Sequence, residues 1–578
     1  MNVRRYQKWA KSGLAIMLAG AMMVGTAASG GGMTAQAAET ESSDTVSTQK
    51  AVTSDAASLL FTEKHITSDL TLPTIGASGT TISWKSSNPS VLSNEGKVTR
   101  PKKGAADEEV TLKGTVKMGD YAKARKFAFV VLAESEMGPT KEFALDQVEL
   151  LDDYYLTAQN SDIEFLKKFD NDRLLSRFRE TAGLDTKKIA PYGGWEDGWL
   201  GGHSVGHYLT AIAQAVKATG NADLKEKSKQ LIKGLAECQN KLGTGFIFGA
   251  KIETEGYVEK QFDILEGKTT GKTWVPWYNM HKMLTGLVDT YKYTGNKQAL
   301  EVAKKLGDWI YNRVSKWDAG TQGRVLGTEY GGMNDCLYEL YLCTRDSKHL
   351  EAAHKFDEPN LYKTVAKGGK NCLNGKHANT TIPKFLGALK RYVVLEQTGE
   401  LTKDDEAYLT NVEKFFDIAV TRHAYITGGV SVMEHFRKDN NQDGTRTQTN
   451  CESCCAHNML KMAKELYKVT GDKKYADYYE TTLRNSIMGA VKSESGAAAY
   501  FIPMATGYFK TFGNEDPAKN MFWCCTGSGM ENFTKLGDSI YFHANDTLIV
   551  NQYVSSKVTW EEKNLVVTQK SDVTKSDK

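Results

Sequence analysis

Two short runs of this sequence concentrate groups that bind metals and act as nucleophiles: Cys451-Glu452-Ser453-Cys454-Cys455 and Trp523-Cys524-Cys525-Thr526-Gly527. Five of the nine cysteines sit there. Adjacent cysteines bridge each other badly, because a disulfide is strained across one peptide bond. An odd total also leaves at least one thiol over. Three thiolates and one carboxylate instead form a tetrahedral donor set for zinc. The first run stands before an amphipathic segment, Ala456 to Val469, and a helix start favours the thiolate form. A structural zinc site and reduced core cysteines are the plainer alternatives. Cys238, Cys336, Cys343 and Cys372 lie scattered in helical-looking sequence and read as small core residues.

Polar runs rich in glycine, histidine and aromatic residues recur at other apparent helix starts. Tyr192-Gly193-Gly194-Trp195-Glu196 precedes Gly202-His203-Ser204-Val205-Gly206-His207-Tyr208-Leu209. Trp274 to His281, Gly327-Thr328-Glu329-Tyr330-Gly331-Gly332 and Lys376-His377-Ala378-Asn379-Thr380 are placed alike. His203 and His207 share a helix face. No Glu or Cys beside them completes a metal set, so hydrogen bonding to a substrate or packing is the expectation.

The elements that position these groups are mainly helical from about 140 to 542. A phrase recurs in which an amphipathic segment ends in Thr-Gly-Asn or Thr-Gly-Asp and a second segment follows. It appears at Thr219-Gly220-Asn221, Thr294-Gly295-Asn296 and Thr470-Gly471-Asp472, with weaker copies at Thr344-Arg345-Asp346 and Thr398-Gly399-Glu400. Glycine caps the first helix in the left-handed region and the next packs back antiparallel. Repeated hairpins of this kind predict an α/α toroid, its inner rim lined by the polar helix starts. Residues 57–135 alternate in short strands and predict a small Ig-like β-sandwich. Residues 543–578 read as the start of a β-sandwich or a short tail. Residues 1–37 carry Arg4, Arg5, Lys8 and Lys11 before an apolar run and Ala35-Gln36-Ala37, the pattern of an export signal. Residues 38–56 read as a flexible linker.

Several of these runs together resemble glycoside hydrolase families 127 and 146, the β-L-arabinofuranosidases and their relatives. They are Tyr192 to Glu196 with Gly202 to Leu209, His377-Ala378-Asn379-Thr380, Thr427-Gly428-Gly429-Val430 with Glu434-His435-Phe436, Glu452-Ser453-Cys454-Cys455, and Phe522-Trp523-Cys524-Cys525. The longer, Trp-rich versions point to the second family. The stretch Ile82-Ser83-Trp84 to Val98 resembles bacterial Ig-like modules of secreted glycosidases. The resemblance implies an (α/α)6 barrel, a zinc ion, and hydrolysis that retains anomeric configuration. It implies Glu452, Cys454, Cys524 and Cys525 as ligands, Cys524 as nucleophile and Glu434 as general acid/base. His203, His207, His377 and Tyr500 are implied to hold sugar hydroxyls. Cys451 and Cys455 are further donors in the same run, and the choice between Cys524 and Cys525 stays open.

A net charge of +3 on 578 residues gives no reason to expect nucleic acid or an acidic membrane as partner. The 26 tyrosines and ten tryptophans suit either a core or sugar stacking. With the export signal, the resemblance implies a secreted enzyme acting on plant-type oligosaccharides or polysaccharides, and that is the leading reading. Its competitors are another α/α-toroid carbohydrate enzyme (lyase, epimerase or carboxylate-only hydrolase) with structural zinc, and a non-catalytic polysaccharide-binding protein.

Overall fold

Alternation in the N-terminal strands fixes which face of their sheet is buried. The computed structural model describes residues 43–61, 64–66, 69–102, 105–133, 139–250, 257–492, 494–512 and 521–575. The expected export signal, 1–37, lies outside them. Helix α1 (Ser43–Ser58) is followed by β1 (His65–Ile66), β2 (Thr81–Ser86), β3 (Glu108–Met118) and β4 (Tyr121–Val131), in the sheet order β1-β4-β3-β2. Val110, Leu112 and Val116 alternate inward along β3. The flexible linker expected at 38–56 is corrected from Ser43 onward. These residues form α1, because Val52 and Ala56, one turn apart, bury against Ile82 and Val116. Among the described residues these strands form one sheet, covered by α1 and by loop residues such as Leu70, Leu72 and Leu92, which pack on Val110, Leu112 and Phe129.

From Leu132 onward the chain forms a second unit. It opens with β5 (Lys141–Glu142), β6 (Val148–Leu150), α2 (Asp153–Lys167), α3 (Asn171–Thr181) and β7 (Gly193–Gly194). Then come α4 (His203–Thr219) and α5 (Ala222–Leu242), the short α6 (Lys260–Leu265), α7 (Pro276–Thr294) and α8 (Lys297–Val314). They are followed by the short α9 (Ala319–Leu326), α10 (Met333–Thr344), α11 (Ser347–His354) and the short α12 (Pro359–Ala366). The series ends with α13 (Ala378–Thr398), α14 (Glu406–His423), α15 (Ser453–Thr470), α16 (Lys473–Thr482), β8 (Met521–Phe522) and α17 (Cys524–Thr534). Helices α4, α7, α10, α13, α15 and α17 pack in cyclic order, and α17 closes back on α4. Helices α5, α8, α11, α14 and α16 back the inner helices they follow, while α2 backs α17. This is the expected (α/α)6 barrel.

The recurring tripeptide explains the hairpins atom by atom. Thr219, Thr294 and Thr470 hydroxyls donate to carbonyls one turn back. Gly220, Gly295 and Gly471 then take φ of 69°, 69° and 67°, and their N–H groups close the last turn. Asn221, Asn296 and Asp472 immediately cap the next helix, accepting from Leu224, Ala299 and Lys474 N–H. Each inner helix that carries the phrase ends at the same end of the barrel, so the first turns gather at the other.

The tail strands β9 (Tyr541–Ala544), β10 (Thr547–Val550), β11 (Ser556–Trp560) and β12 (Leu565–Gln569) pair in the orders β10-β9-β5 and β12-β11-β6. Their partners thus precede the barrel in sequence. Among the described residues no helix is long and apolar enough to cross a membrane.

Inner helices α4 and α7 touch through glycine. A Cβ on Gly206 would stand 2.1 Å from Lys282 O, and one on Gly286 would stand 2.5 Å from Gly206 O. Backbone cannot yield as a side chain does, so Gly206→Ala is expected to cost about 1–3 kcal/mol. Gly489→Ala, where a Cβ meets nothing within 4 Å, is the control and should stay within about 0.5 kcal/mol. Thermal unfolding of the two variants checks both values.

Candidate active site and metal centre

Two helix starts converge at the open end of the ring. Glu452 is the N-cap residue of α15, with Cys454 and Cys455 in its first turn. Cys524 and Cys525 open α17 behind the N-cap Trp523. Both first turns present partial positive charge to the same point, which favours anionic donors. Strand pairing sets the angle of each approach. Gly193 and Gly194 pair with Met521 and Phe522, and a Cβ on Gly194 (φ 67°) would stand 2.5 Å from Phe522 O. Ser453 N–H donates to Tyr500 O at 3.0 Å, and its hydroxyl donates to Ala499 O at 2.9 Å.

The four expected ligands do meet. One ligand atom from each of Glu452, Cys454, Cys524 and Cys525 lies within 4.8 Å of the other three. Cys524 and Cys525 Sγ are 3.9 Å apart, and Glu452 Oε1 is 3.9 Å from Cys524 Sγ and 3.7 Å from Cys525 Sγ. These separations match the edges of a tetrahedron with arms of about 2.3 Å. Cys454 and Cys525 Sγ are closer, at 3.0 Å, yet far from the 2.05 Å or so of a disulfide. All nine cysteines are free. Ser528 Oγ donates to Cys454 Sγ at 3.1 Å. Cys455 Sγ instead faces the second Glu452 oxygen at 3.2 Å, and Cys451 bonds Thr427 at 3.8 Å. They therefore flank the set.

The electrostatics supply the fit test for a metal. Burial pushes Glu452 well above the usual carboxylate range, with the neighbouring Cys524 charge adding to the effect. Burial likewise pushes Cys454 and Cys525 well above the usual thiol range. Hydrogen bonds from the Cys454 and Cys525 thiols hold Cys524 well below it. Three thiols and a carboxylate packed together ionise as a set only where a positive charge shares the site. A thiophilic cation is what lets them all ionise, and the donor set fits one.

Glu434 reaches the same place on a strained loop. Ser431, Met433 and Glu434 have φ of 86°, 46° and 64°, conformations that persist only where the surroundings impose them. The restraints are Ala378 N–H to Glu434 O at 2.6 Å, Met433 N–H to Thr449 O at 2.9 Å and Cys451 N–H to Ser431 O at 3.1 Å. His377 caps α13 by accepting from Thr380 N–H at Nδ1, so its Nε2–H is free to donate to Glu434 Oε2 at 3.3 Å. Tyr500 hydroxyl donates to Glu434 Oε1 and stands 3.4 Å from Cys524 Sγ. Bonds from His377 and Tyr500 hold Glu434 below the usual carboxylate range against burial. Cys524 keeps partial exposure, whereas Cys454 and Cys525 are buried.

The two α4 histidines separate. His203 is fully buried, with Nδ1 2.7 Å from Leu200 O and 3.0 Å from Glu196 Oε1. His207 is the other α4 residue expected to hold a sugar hydroxyl. It lies one turn deeper, with Nδ1 2.5 Å from Glu531 Oε1 and its ring against Gly527. A carboxylate not singled out as a site residue, Glu329, does reach the site. Burial raises its pKa, and His377 and Cys524 are among the charges acting on it. Its Thr-Glu-Tyr-Gly-Gly run before α10 was the available signal. Glu531 had none, being one Glu inside a helix.

Comparison with known proteins agrees with this geometry. A family model described as the β-L-arabinofuranosidase, GH127 catalytic domain matches residues 147–538, and one for an atrophied bacterial Ig domain matches 47–134. Among curated proteins none matches. A solved GH127 β-arabinofuranosidase superposes with a TM-score of 0.54 at 19% identity, covering 73% of this chain and 65% of its own. The chain thus spans just under two thirds of that relative. A GH127 β-L-arabinofuranosidase from Geobacillus stearothermophilus T6 gives a TM-score of 0.51 at 17% identity, covering 71% of this chain and 68% of its own. A further glycoside hydrolase gives 0.50 at 15%, covering 75% and 67%. The family model spans most of the chain and the cluster falls within it: the chain belongs to the β-L-arabinofuranosidase family GH127 of the glycoside hydrolases.

Proposed function

We propose that this protein is a secreted, retaining glycoside hydrolase that releases β-L-arabinofuranose, or a closely related sugar, from plant-type glycans. The observation that carries the reading is the placement of one hydroxyl, Tyr500, between the Glu434 carboxylate and the Cys524 sulfur, above a cluster fit for a metal. Sharing one hydroxyl brings acid and nucleophile to the same spot, the pairing that double displacement uses. Zinc held by Glu452, Cys454, Cys524 and Cys525 supplies the positive charge that keeps the thiolate ionised at neutral pH.

Cys524 is the sulfur that fits attack, because it alone of the three keeps exposure and touches Tyr500. Its lone pair forms a C–S bond to the anomeric carbon as the C–O bond to the leaving group breaks. Protonated Glu434 gives its proton to the departing oxygen. Glu434 then takes a proton from water, whose oxygen displaces the sulfur and restores the starting configuration. His377 and Tyr500 favour the carboxylate needed in the second half, while the Cys524 charge opposes them and favours the acid needed in the first. In this reading His377, Tyr500 and Glu329, with His203 behind them, are the groups assigned to the sugar hydroxyls. Trp195 packs 5.4 Å from both Trp523 and Trp274, the last 44% exposed, which adds aromatic surface of the kind sugars stack on.

On an aryl β-L-arabinofuranoside, Cys524→Ser should lose at least about 10³-fold in kcat while staying folded. Glu434→Gln should lose about 10²- to 10⁴-fold. Full activity of Cys524→Ser, or of demonstrably metal-free protein, would sink the mechanism. A chelator should lower the unfolding midpoint, and zinc at about 1,000 times its Kd should restore roughly 4 kcal/mol. A midpoint indifferent to zinc counts against the site.

A further inference from the structure

Deeper along the inner helices than the cluster lies a small cavity whose lining includes His207, His281, Lys282, His457, Lys461 and Glu531. Glu531 is the member that joins helices. It sits on α17, seven residues after Cys524 and thus about two turns deeper on the same face. Helical side chains lean toward the N-terminus, so its carboxylate is thrown back toward the ligands. One oxygen is 2.5 Å from His207 Nδ1 on α4, and the other is 3.4 Å from His457 Nε2 on α15. His207 stands one turn below His203, and His457 three residues below Cys454. Glu531, His207 and His457 are 7%, 2% and 3% exposed.

The contacts around this bridge leave little slack. A Cβ on Gly527 would stand 2.4 Å from the His207 ring, so that ring lies directly on the α17 backbone. His457 Nδ1 is fixed in turn at 2.7 Å from Asn532 Oδ1, also on α17. Ser528 carries the linkage upward to Cys454 Sγ. Glu452 and Cys454 come from the start of α15, Cys524 and Cys525 from the start of α17, and His203 from the start of α4. The spacing of these starts is what the bridge sets.

We infer that Glu531 is a positioning residue. By bonding His207 and standing against His457, which Asn532 of the same helix anchors through Nδ1, it holds α4, α15 and α17 at the separation that closes the Glu452-Cys454-Cys524-Cys525 set around its metal. This rests on the metal reading of that cluster. Residues that orient metal ligands from outside the coordination sphere typically cost 10- to 100-fold in affinity when altered.

The test is zinc affinity of the full chain by chelator competition, together with the sulfur-to-metal absorption of the cobalt-substituted protein. Glu531→Gln keeps the shape and removes the charge. It is expected to weaken zinc about 10- to 100-fold and to shift the cobalt band, with the metal-free protein still folded. His457→Gln, on the longer arm, should weaken zinc less and serves if Glu531→Gln does not fold. Zinc affinity and a cobalt spectrum equal to wild type in the folded variants would overturn the inference, even if their unfolding midpoints fell. A wild-type chain that takes up neither metal would instead overturn the metal reading itself.

Discussion

Four donors that repel one another when ionised are packed where little water reaches, and the architecture of the barrel end answers that repulsion. Glu452, Cys454 and Cys525 are 1%, 2% and 1% exposed. Burial of several like charges at one point is costly unless an opposite charge shares the site. The starts of α15 and α17 and the Ser528 hydroxyl offset part of that cost. None carries a full positive charge. A cation would complete the arrangement, and in the proposed reaction the same cation would make sulfur a usable nucleophile.

The (α/α)6 ring suits such a site because parallel inner helices deliver their first turns to one rim. Here the rim mixes functions by helix: ligands from α15 and α17, His203 from α4, and His377 from the cap of α13. Glu434 comes from none of them. It stands on a loop in left-handed backbone, pinned by α13 and by the strand-like run leading into α15. An acid on such a loop can face the sulfur across Tyr500 without joining the metal set. Depth separates the two α4 histidines, since His203 opens the helix while His207, one turn on, ties α4 to α17.

Much of this was legible in the sequence because the signals are local. Thr-Gly-Asn states its own geometry, a left-handed cap followed at once by an N-cap. The paired cysteines and adjacent Glu452 announce a donor set that suits neither disulfides nor a zinc ribbon. What escaped notice is tertiary. α1 is polar enough to read as a linker until Ile82 and Val116 offer it a face. The N-terminal strands alternate as strands with one buried face do, but alternation does not show that α1 covers part of that face. His203 and His207 look equivalent by spacing, and only the approach of α17 through Gly527 sends one of them to Glu531.

X-ray absorption at the zinc edge of the full chain tests the central claim most directly. Convergence of the two cysteine runs on one ion requires a first shell of three sulfurs at about 2.3 Å and one oxygen at about 2.0–2.2 Å. A shell of nitrogen and oxygen alone, or protein whose clustered sulfurs are joined in disulfides and exclude zinc, would contradict it.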